Sequence, residues 1–290
     1  MSKPLSDLLE LLNLEEIELS IFRGRSPKDS WQRVFGGQVL GQALVAATRT
    51  VPDERFCHSM HAYFIRPGDP KVPILYQVDK ARDGRSFATR RVVAIQHGRP
   101  IFSLSASFQT LEEGLEHQID MPDVPGPDTL VPEEDLRKQV AEQLPPAIAK
   151  WFTLSGPIEL RPVNPKQRLN PVKGEPKQNI WVRSSGTLPD DLSVHQCVLA
   201  YASDMTLLDT CLIPHGIGFL SEGLQIASLD HGMWFHRPFR ADEWLLYSQD
   251  SPVSGGSRGY NRGSIFTREG VLVASVAQEG LIRMRKQKQS

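Results

Sequence analysis

Apolar and polar positions along the chain form two kinds of pattern, and these occur in the same order twice. A short apolar run beginning at Ile17 leads through a loop into "GGQVLGQALVAATRTV", residues 36–51, which is dense in Ala, Val and Leu with polar side chains clustered at Gln38 and Gln42. A segment that is apolar around most of its circumference predicts a buried helix. Beyond it, stretches with period-two alternation and many β-branched or aromatic residues are bounded by the turn-forming segments "ARDGRS" and "QHGRP", so three or four long strands are expected there. The order then returns: a short run from Ile158, a second apolar helix in "LSVHQCVLAYASDMTLLDTCL" (192–212), and alternating segments punctuated by "VSGGSRG" and "TREG".

The echo extends to individual residues. "IELSIFRG" from Ile17 is answered by "IELRPVNP" from Ile158, "WQRVFGG" from Trp31 by "IWVRSSG" from Ile180, and Arg66-Pro67 by Arg237-Pro238. Arg66 to Arg90 spans 24 positions and Arg237 to Arg262 spans 25, while Arg66 to Gly98 spans 32 and Arg237 to Gly270 spans 33. A fixed internal period identifies a duplicated unit. One helix per unit against several antiparallel strands gives an α+β fold, each sheet wrapping its helix. The first module takes residues 1–112 and the second 157–290, and between them 113–156 reads as a linker rich in acids and prolines. Within it a helix is expected from Glu133 to Leu144, ended by Pro145-Pro146.

One position breaks the second apolar helix. Asp204 sits at the centre of "LAYASDMTLL", and an ionised acid buried without partners costs several kcal/mol. A partner is offered by the strand Val271–Arg285, whose face Leu272, Ala274, Val276, Gln278, Gly280, Ile282, Met284 is apolar except for one amide. Gln278 therefore points inward and needs polar company at depth. Ser228, near the start of the strand that follows the helix, is a weaker third candidate. The repeat acts as an internal control: residues 36–51 contain no carboxylate, Gln278 aligns near Ala106, and Ser228 aligns near Cys57. Confinement of the polar set to one half points to a single reactive site per chain.

Composition narrows the function classes. A net charge of −1 over 290 residues provides no basic field for nucleic acid. Cys57, Cys197 and Cys211 lie in or beside apolar runs, are odd in number and lack CxxC spacing, which disfavours disulfides and zinc knuckles and fits a reducing, cytoplasmic setting. The N-terminal "MSKPLSDLLELLNLEE" lacks the basic and apolar regions of a signal peptide, and no stretch is expected to approach the roughly 18 apolar residues of a membrane span. "GGSRG" (255–259) fits the G-x-S-x-G elbow, but the strand-like "YNRGSIFT" follows it and no His occurs after His236, so it reads as a hairpin turn. His231 and His236 read as hydrogen-bonded packing residues, and His58 with His61 lacks a third metal ligand.

With "GGQVLGQAL", "HSMHAYFIRPGDP", "DGRSFATRRV", "ASDMTLLDT", "LDHGMWFHRPFRADEWLLY", "SRGYNRG" and "GVLVASVAQEGLIR", the chain resembles the type II acyl-CoA thioesterases over nearly its whole length. The resemblance implies two tandem hot-dog modules, each an antiparallel sheet wrapped around a central helix. It also implies hydrolysis of medium- to long-chain fatty acyl-CoA by water oriented by Asp204, Ser228 and Gln278, with no metal or other cofactor. The family commonly has Thr where this chain has Ser228, a departure that keeps donor and acceptor but loses a rotamer-restricting methyl. Arg237, Arg258 and Arg262 are candidate partners for the coenzyme phosphates. Expected partners are the acyl-CoA substrate and further copies of the chain, as a homodimer or homotetramer, with neither nucleic acid nor membrane. Two other functions were weighed. A hot-dog enoyl- or hydroxyacyl-thioester hydratase is disfavoured because no His lies between Tyr201 and Leu212, and a non-catalytic acyl-CoA-binding module would bind without turnover.

Overall fold

The computed structural model describes residues 2–27, 33–141, 149, 153–165, 167, 171–219 and 221–285. It opens with a helix that the sequence reading passed over, α1 (Lys3–Leu12), capped by Ser2 and burying Leu5, Leu8 and Leu12 on one side. The strands β1 (Glu15–Glu18) and β2 (Ile21–Gly24) precede α2 (Gly36–Thr48), and then come β3 (Arg55–Phe64), β4 (Ile74–Asp83), β5 (Phe87–Gln96) and β6 (Arg99–Thr110). Nearly all of α2 is buried. Its two amides are satisfied at depth: Gln38 donates to the Arg25 carbonyl, while Gln42 donates to the Leu11 carbonyl at 2.7 Å and accepts from the Tyr76 hydroxyl at 2.7 Å. At the β5–β6 hairpin, His97 and Gly98 both take positive φ, 50° and 67°, the backbone that a tight turn between twisted strands requires.

The linker holds α3 (Glu133–Ala141). The expected helix end at Leu144 and the stop at Pro145-Pro146 lie outside the described residues. The second module follows with β7 (Ile158–Pro162), β8 (Lys177–Ser184), α4 (Leu192–Ser203), a 3-10 segment (Leu207–His215), β9 (Leu224–Ser228), β10 (Asp230–Phe235), β11 (Leu245–Gly255), β12 (Arg258–Thr267) and β13 (Leu272–Met284).

All these strands join one 13-stranded antiparallel sheet of order β1-β2-β4-β5-β6-β3-β10-β13-β12-β11-β8-β7, with β9 beside β13. Read inward from either end the order is the same, so β2 corresponds to β8, β4 to β11, β5 to β12, β6 to β13 and β3 to β10. This is the expected pair of hot-dog modules, fused where β3 pairs β10 with Met60 opposite Met233. A continuous apolar core runs through both, around α2 and α4. A separate cluster of Trp181, Trp244, Leu246 and Phe266 packs against Met121, Val124 and Leu130 of the linker, and Trp181 donates to the Pro125 carbonyl at 2.9 Å. The linker thus covers part of the second module.

Three expectations need correction. Ile180–Ser184 is strand, whereas Arg33–Phe35 is the loop running into α2, so "WQRVFGG" and "IWVRSSG" are not equivalent; Trp31 itself lies outside the described residues. The Arg90–Arg262 correspondence is out by one residue. Arg90 sits opposite Ala106 and Asn261 sits opposite Gln278, which makes Asn261 the counterpart of Arg90, and a one-residue shift reverses the face of a strand. Arg90 is accordingly buried, with Asp83 at 2.6 Å, while Arg262 is exposed. Finally, the stretch Leu192–His215 is as long and apolar as a membrane span, but most of it is buried inside the fold and it breaks at Asp204.

Candidate active site

Asp204 is not in the middle of a helix. It is the C-cap of α4, with φ −84° and ψ −7°, and the chain beyond it turns into the 3-10 segment. The break is held by side chains. Gln178 donates to the Thr206 carbonyl at 3.0 Å and to the Thr210 hydroxyl at 2.8 Å, and Gln249 donates to the Thr206 hydroxyl at 2.7 Å. Carbonyl groups left unpaired at a helix end must find donors elsewhere, and this amide–threonine cluster supplies one.

The three candidate residues meet. Gln278, fully buried on the inner face of β13, donates to Asp204 Oδ1 at 2.7 Å and to Ser228 Oγ at 2.6 Å, and the Ser228 hydroxyl donates to the same Asp204 oxygen at 3.0 Å. Ser228 arrives there because β9 pairs with the far end of β13, Ser228 opposite Gly280. The strand expected to run unbroken through this region is divided at Leu229 into β9 and β10.

A fourth contribution comes from the other module. Asp204 accepts a hydrogen bond from the Gly37 backbone N–H, and a Cβ on Gly36 would lie 2.5 Å from Asp204 Oδ2. A Cβ on Gly37 would collide with the Tyr201 carbonyl. Both glycines are therefore needed for the start of α2 to approach the end of α4. Phe35, the N-cap of α2, makes no side-chain capping bond, so the Asp204 carboxylate does from across the fold what an Asp or Ser normally does at that position. The repeat comparison places the site in the second half alone; the signal for the first half is the "GG" of "GGQVLGQAL".

Burial pushes the Asp204 carboxyl up to about 6, against the hydrogen bonds from Gln278, Ser228 and Gly37, which favour the carboxylate. Such a group loses and gains its proton near neutrality, as a general base requires. Apolar side chains flank it: the Phe35 and Tyr201 rings meet edge to face at 5.2 Å, and Phe64 lies against Gly36.

The candidate arginines are elsewhere. Arg258 and Arg262 alternate with inward-facing Gly259, Asn261 and Gly263 on β12 and so lie on the outer face. Arg258 pairs with Glu279 at 3.0 Å and Arg262 pairs with both oxygens of Asp250. Arg237 donates to Gln118 and the Leu272 carbonyl and pairs with Glu116 at 3.4 Å. An open cleft of about 410 Å³, lined by Leu192, His195, Phe239 and Arg240 among others, also lies away from the Asp204 cluster. Among the described residues no group of three or more His, Cys, Asp and Glu is disposed to hold a metal ion.

Comparisons with known proteins agree on one family. A model of acyl-CoA thioesterase matches residues 151–281, and a model of the acyl-CoA thioesterase N-terminal domain matches residues 26–109. Acyl-coenzyme A thioesterase 8 of Homo sapiens is 45% identical, the alignment covering 96% of this chain and 89% of that protein. Acyl-CoA thioesterase 2 of Haemophilus influenzae is 43% identical over 98% of this chain and 99% of its own. The crystal structure of an acyl-CoA thioesterase II, TesB2, from Mycobacterium marinum superimposes with a TM-score of 0.79 at 45% identity, covering 96% of this chain and 99% of that one.

Proposed function

The chain belongs to the acyl-CoA thioesterase family, and from that premise we propose that it hydrolyses acyl-CoA to free acid and coenzyme A by direct attack of a water held at Asp204, Ser228 and Gln278. The observation that carries this mechanism is the convergence of those three side chains on one point at the start of α2. Asp204 accepts the water's proton as the water oxygen bonds to the thioester carbon. Ser228 and Gln278 fix the direction of attack, which replaces a random encounter with a held geometry. Negative charge then develops on the carbonyl oxygen, and the first turn of α2, with its N–H groups and the positive end of its dipole, is positioned to stabilise it. Collapse of the tetrahedral intermediate breaks the C–S bond, and the coenzyme thiolate leaves and takes up a proton.

Phe35, Phe64 and Tyr201 around the carboxylate supply an apolar wall suited to medium- or long-chain acyl groups. For Arg237, Arg258 or Arg262 to bind the coenzyme's phosphates, each would exchange an existing acidic partner, Glu116, Glu279 or Asp250, for phosphate oxygens. Exposed sheet edges, β1 at one end and β7 at the other, together with the family pattern suggest a homodimer or homotetramer. Three buried free cysteines suit a reducing cytoplasm.

The test is release of free thiol from acyl-CoAs of graded chain length. Asp204→Asn is expected to lower turnover at least about a hundredfold with the fold retained, the scale for losing a general base; unchanged turnover would remove Asp204 from the mechanism.

A further inference from the structure

Gln278 can serve Asp204 and Ser228 only if its amide is held with the nitrogen toward them. Turned over, it would place Oε1 within 2.7 Å of a carboxylate oxygen, with no hydrogen between them. The choice of orientation must come from the other end of the amide. Gln278 Oε1 is buried with no hydrogen-bond partner, and so is His231 Nδ1. The two side chains lie side by side on neighbouring strands. The strand register explains why: β10 pairs β13 with Gly232 opposite Ala277, which brings His231 level with Gln278 on the inner face, and both are buried.

We propose that His231 is a positioning residue, its Nδ1–H donating to Gln278 Oε1 and so fixing which end of the amide faces Asp204 and Ser228. The proposal rests on the reading that Gln278 helps hold the attacking water. The tautomer follows from the neighbouring contacts. His231 Nε2 lies 2.9 Å from the Ser203 hydroxyl, which can alternatively donate to the Ala200 carbonyl at 2.9 Å. If Nε2 carried the proton, Nδ1 and Gln278 Oε1 would be two bare acceptors facing each other in a dry interior, the costliest condition for buried polar atoms. With the proton on Nδ1, both are satisfied, and the Ser203 hydrogen turns to Nε2. Burial pushes the imidazole down to about 4, so it remains neutral and can be donor at one nitrogen and acceptor at the other. A relay results, Ser203 to His231 to Gln278 to Asp204 and Ser228, and it starts at the residue adjacent to Asp204 in the chain.

In the full-length enzyme, His231→Leu is expected to lower kcat about ten- to a hundredfold with KM within about threefold, because only the aim of the water is lost. His231→Asn, which retains an N–H close to the place of Nδ1, is expected to keep kcat within about fivefold of wild type. Combined with Gln278→Ala, His231→Leu should add little further loss, since the two act as a unit. Wild-type kcat in His231→Leu, or losses that multiply in the double variant, would overturn the proposal. Neutron diffraction from the wild-type protein gives a reading that does not depend on any variant folding: hydrogen on Nδ1 supports it and hydrogen on Nε2 alone refutes it. Full turnover in Gln278→Ala would refute the reading of the site itself, whereas an impaired Gln278→Ala beside a normal His231→Leu would refute only the role of His231.

Discussion

At each position where the second module carries the polar set, the first module is built differently. Gln278 on β13 corresponds to Ala106 on β6, each opposite the equivalent residue of its neighbouring strand, Asn261 and Arg90. His231, four residues before the end of β10, corresponds to Met60 on β3, which lies beside Ala106. Ser228 corresponds to Cys57, and the C-cap Asp204 of α4 corresponds to the C-cap Arg49 of α2. An amide, an imidazole, a hydroxyl and an acid on one side thus face a methyl, a thioether, a thiol and a guanidinium on the other. The first module folds without this set, so the set is not a requirement of the architecture. Groups that cost free energy to bury and are absent from the folded twin are the ones to assign to chemistry.

The two helix junctions differ in the same sense. α4 is capped by its own Asp191, whose side chain accepts from Ser193 N–H at 2.9 Å. α2 has no such cap and borrows Asp204. Near the α4 junction, Gln196 fills the space by clamping Cys57, accepting from its N–H at 3.2 Å and donating to its carbonyl at 2.7 Å. At the α2 junction, glycines let the helix start come directly against Asp204 and the Tyr201 carbonyl. One junction is closed by a structural clamp, and the other brings a carboxylate against a helix N-terminus.

The sharpest way to break this comparison is to alter both C-caps. Beyond the loss already expected for Asp204→Asn, Arg49→Ala should leave kcat within about threefold, because its guanidinium serves the Leu14 carbonyl and Asn13 and its removal is a matter of one or two hydrogen bonds, roughly 1 to 2 kcal/mol of stability. Thiol-release kinetics and thermal melts on the two variants separate these outcomes. Comparable losses of turnover from both would mean that the first junction is also a reactive site.

Next in size is Gly36→Ala. Its new methyl must displace Asp204 Oδ2 or the Phe64 ring, and displacement of about 1 Å at a reacting group can cost on the order of a hundredfold in rate. A drop in kcat of tenfold or more with a thermal midpoint close to wild type is the expected result, showing that the first module takes part in the chemistry. Turnover at the wild-type level would confine the reaction to the second.

A smaller effect belongs to Ser228. Ser228→Ala removes the hydrogen bond to Asp204 and the one accepted from Gln278 and should slow turnover about tenfold, whereas Ser228→Thr should stay within about threefold, the added methyl fixing χ1 while the hydroxyl remains. Steady-state kinetics of the pair decide whether hydroxyl or side-chain volume matters at this position.

Much of this contrast could be read from the chain. Period-two alternation placed Gln278 inward, and the doubled order of segments showed that Ala106 lacks its polar group; both depend only on local spacing. What escaped the sequence depends on contacts between distant segments. The break at Asp204 is set by Gln178 on β8 and Gln249 on β11, and the meeting of Gly36 with Asp204 is set by the packing of two helices. α1 carries a signal of its own in the sequence, a Ser2 cap with leucines at 5, 8 and 12. The Arg90–Arg262 slip comes from matching residue type over unequal spacings: Arg237 to Asn261 spans the same 24 positions as Arg66 to Arg90.

The smallest effect is thermodynamic and concerns only the second module. An aspartate in an unfolded chain titrates near ~3.9, and in the folded protein burial pushes Asp204 up to about 6. Between these values the folded state binds more protons than the unfolded state, so stability falls as pH rises through the interval. Above it the whole penalty of the buried charge is present; below about pH 4 it is absent. Asp204→Asn is neutral at every pH and escapes the penalty, so the variant should be more stable than wild type at pH 8, by on the order of 2 kcal/mol, with the gain shrinking toward zero near pH 4. Arg49→Ala has no reason to show such a crossover. Urea denaturation of the two variants and wild type at both pH values measures it. A gain from Asp204→Asn that is the same at pH 4 and pH 8 would mean that the carboxylate is not held against its own solvation, and the contrast between the two helix ends would then be one of shape alone.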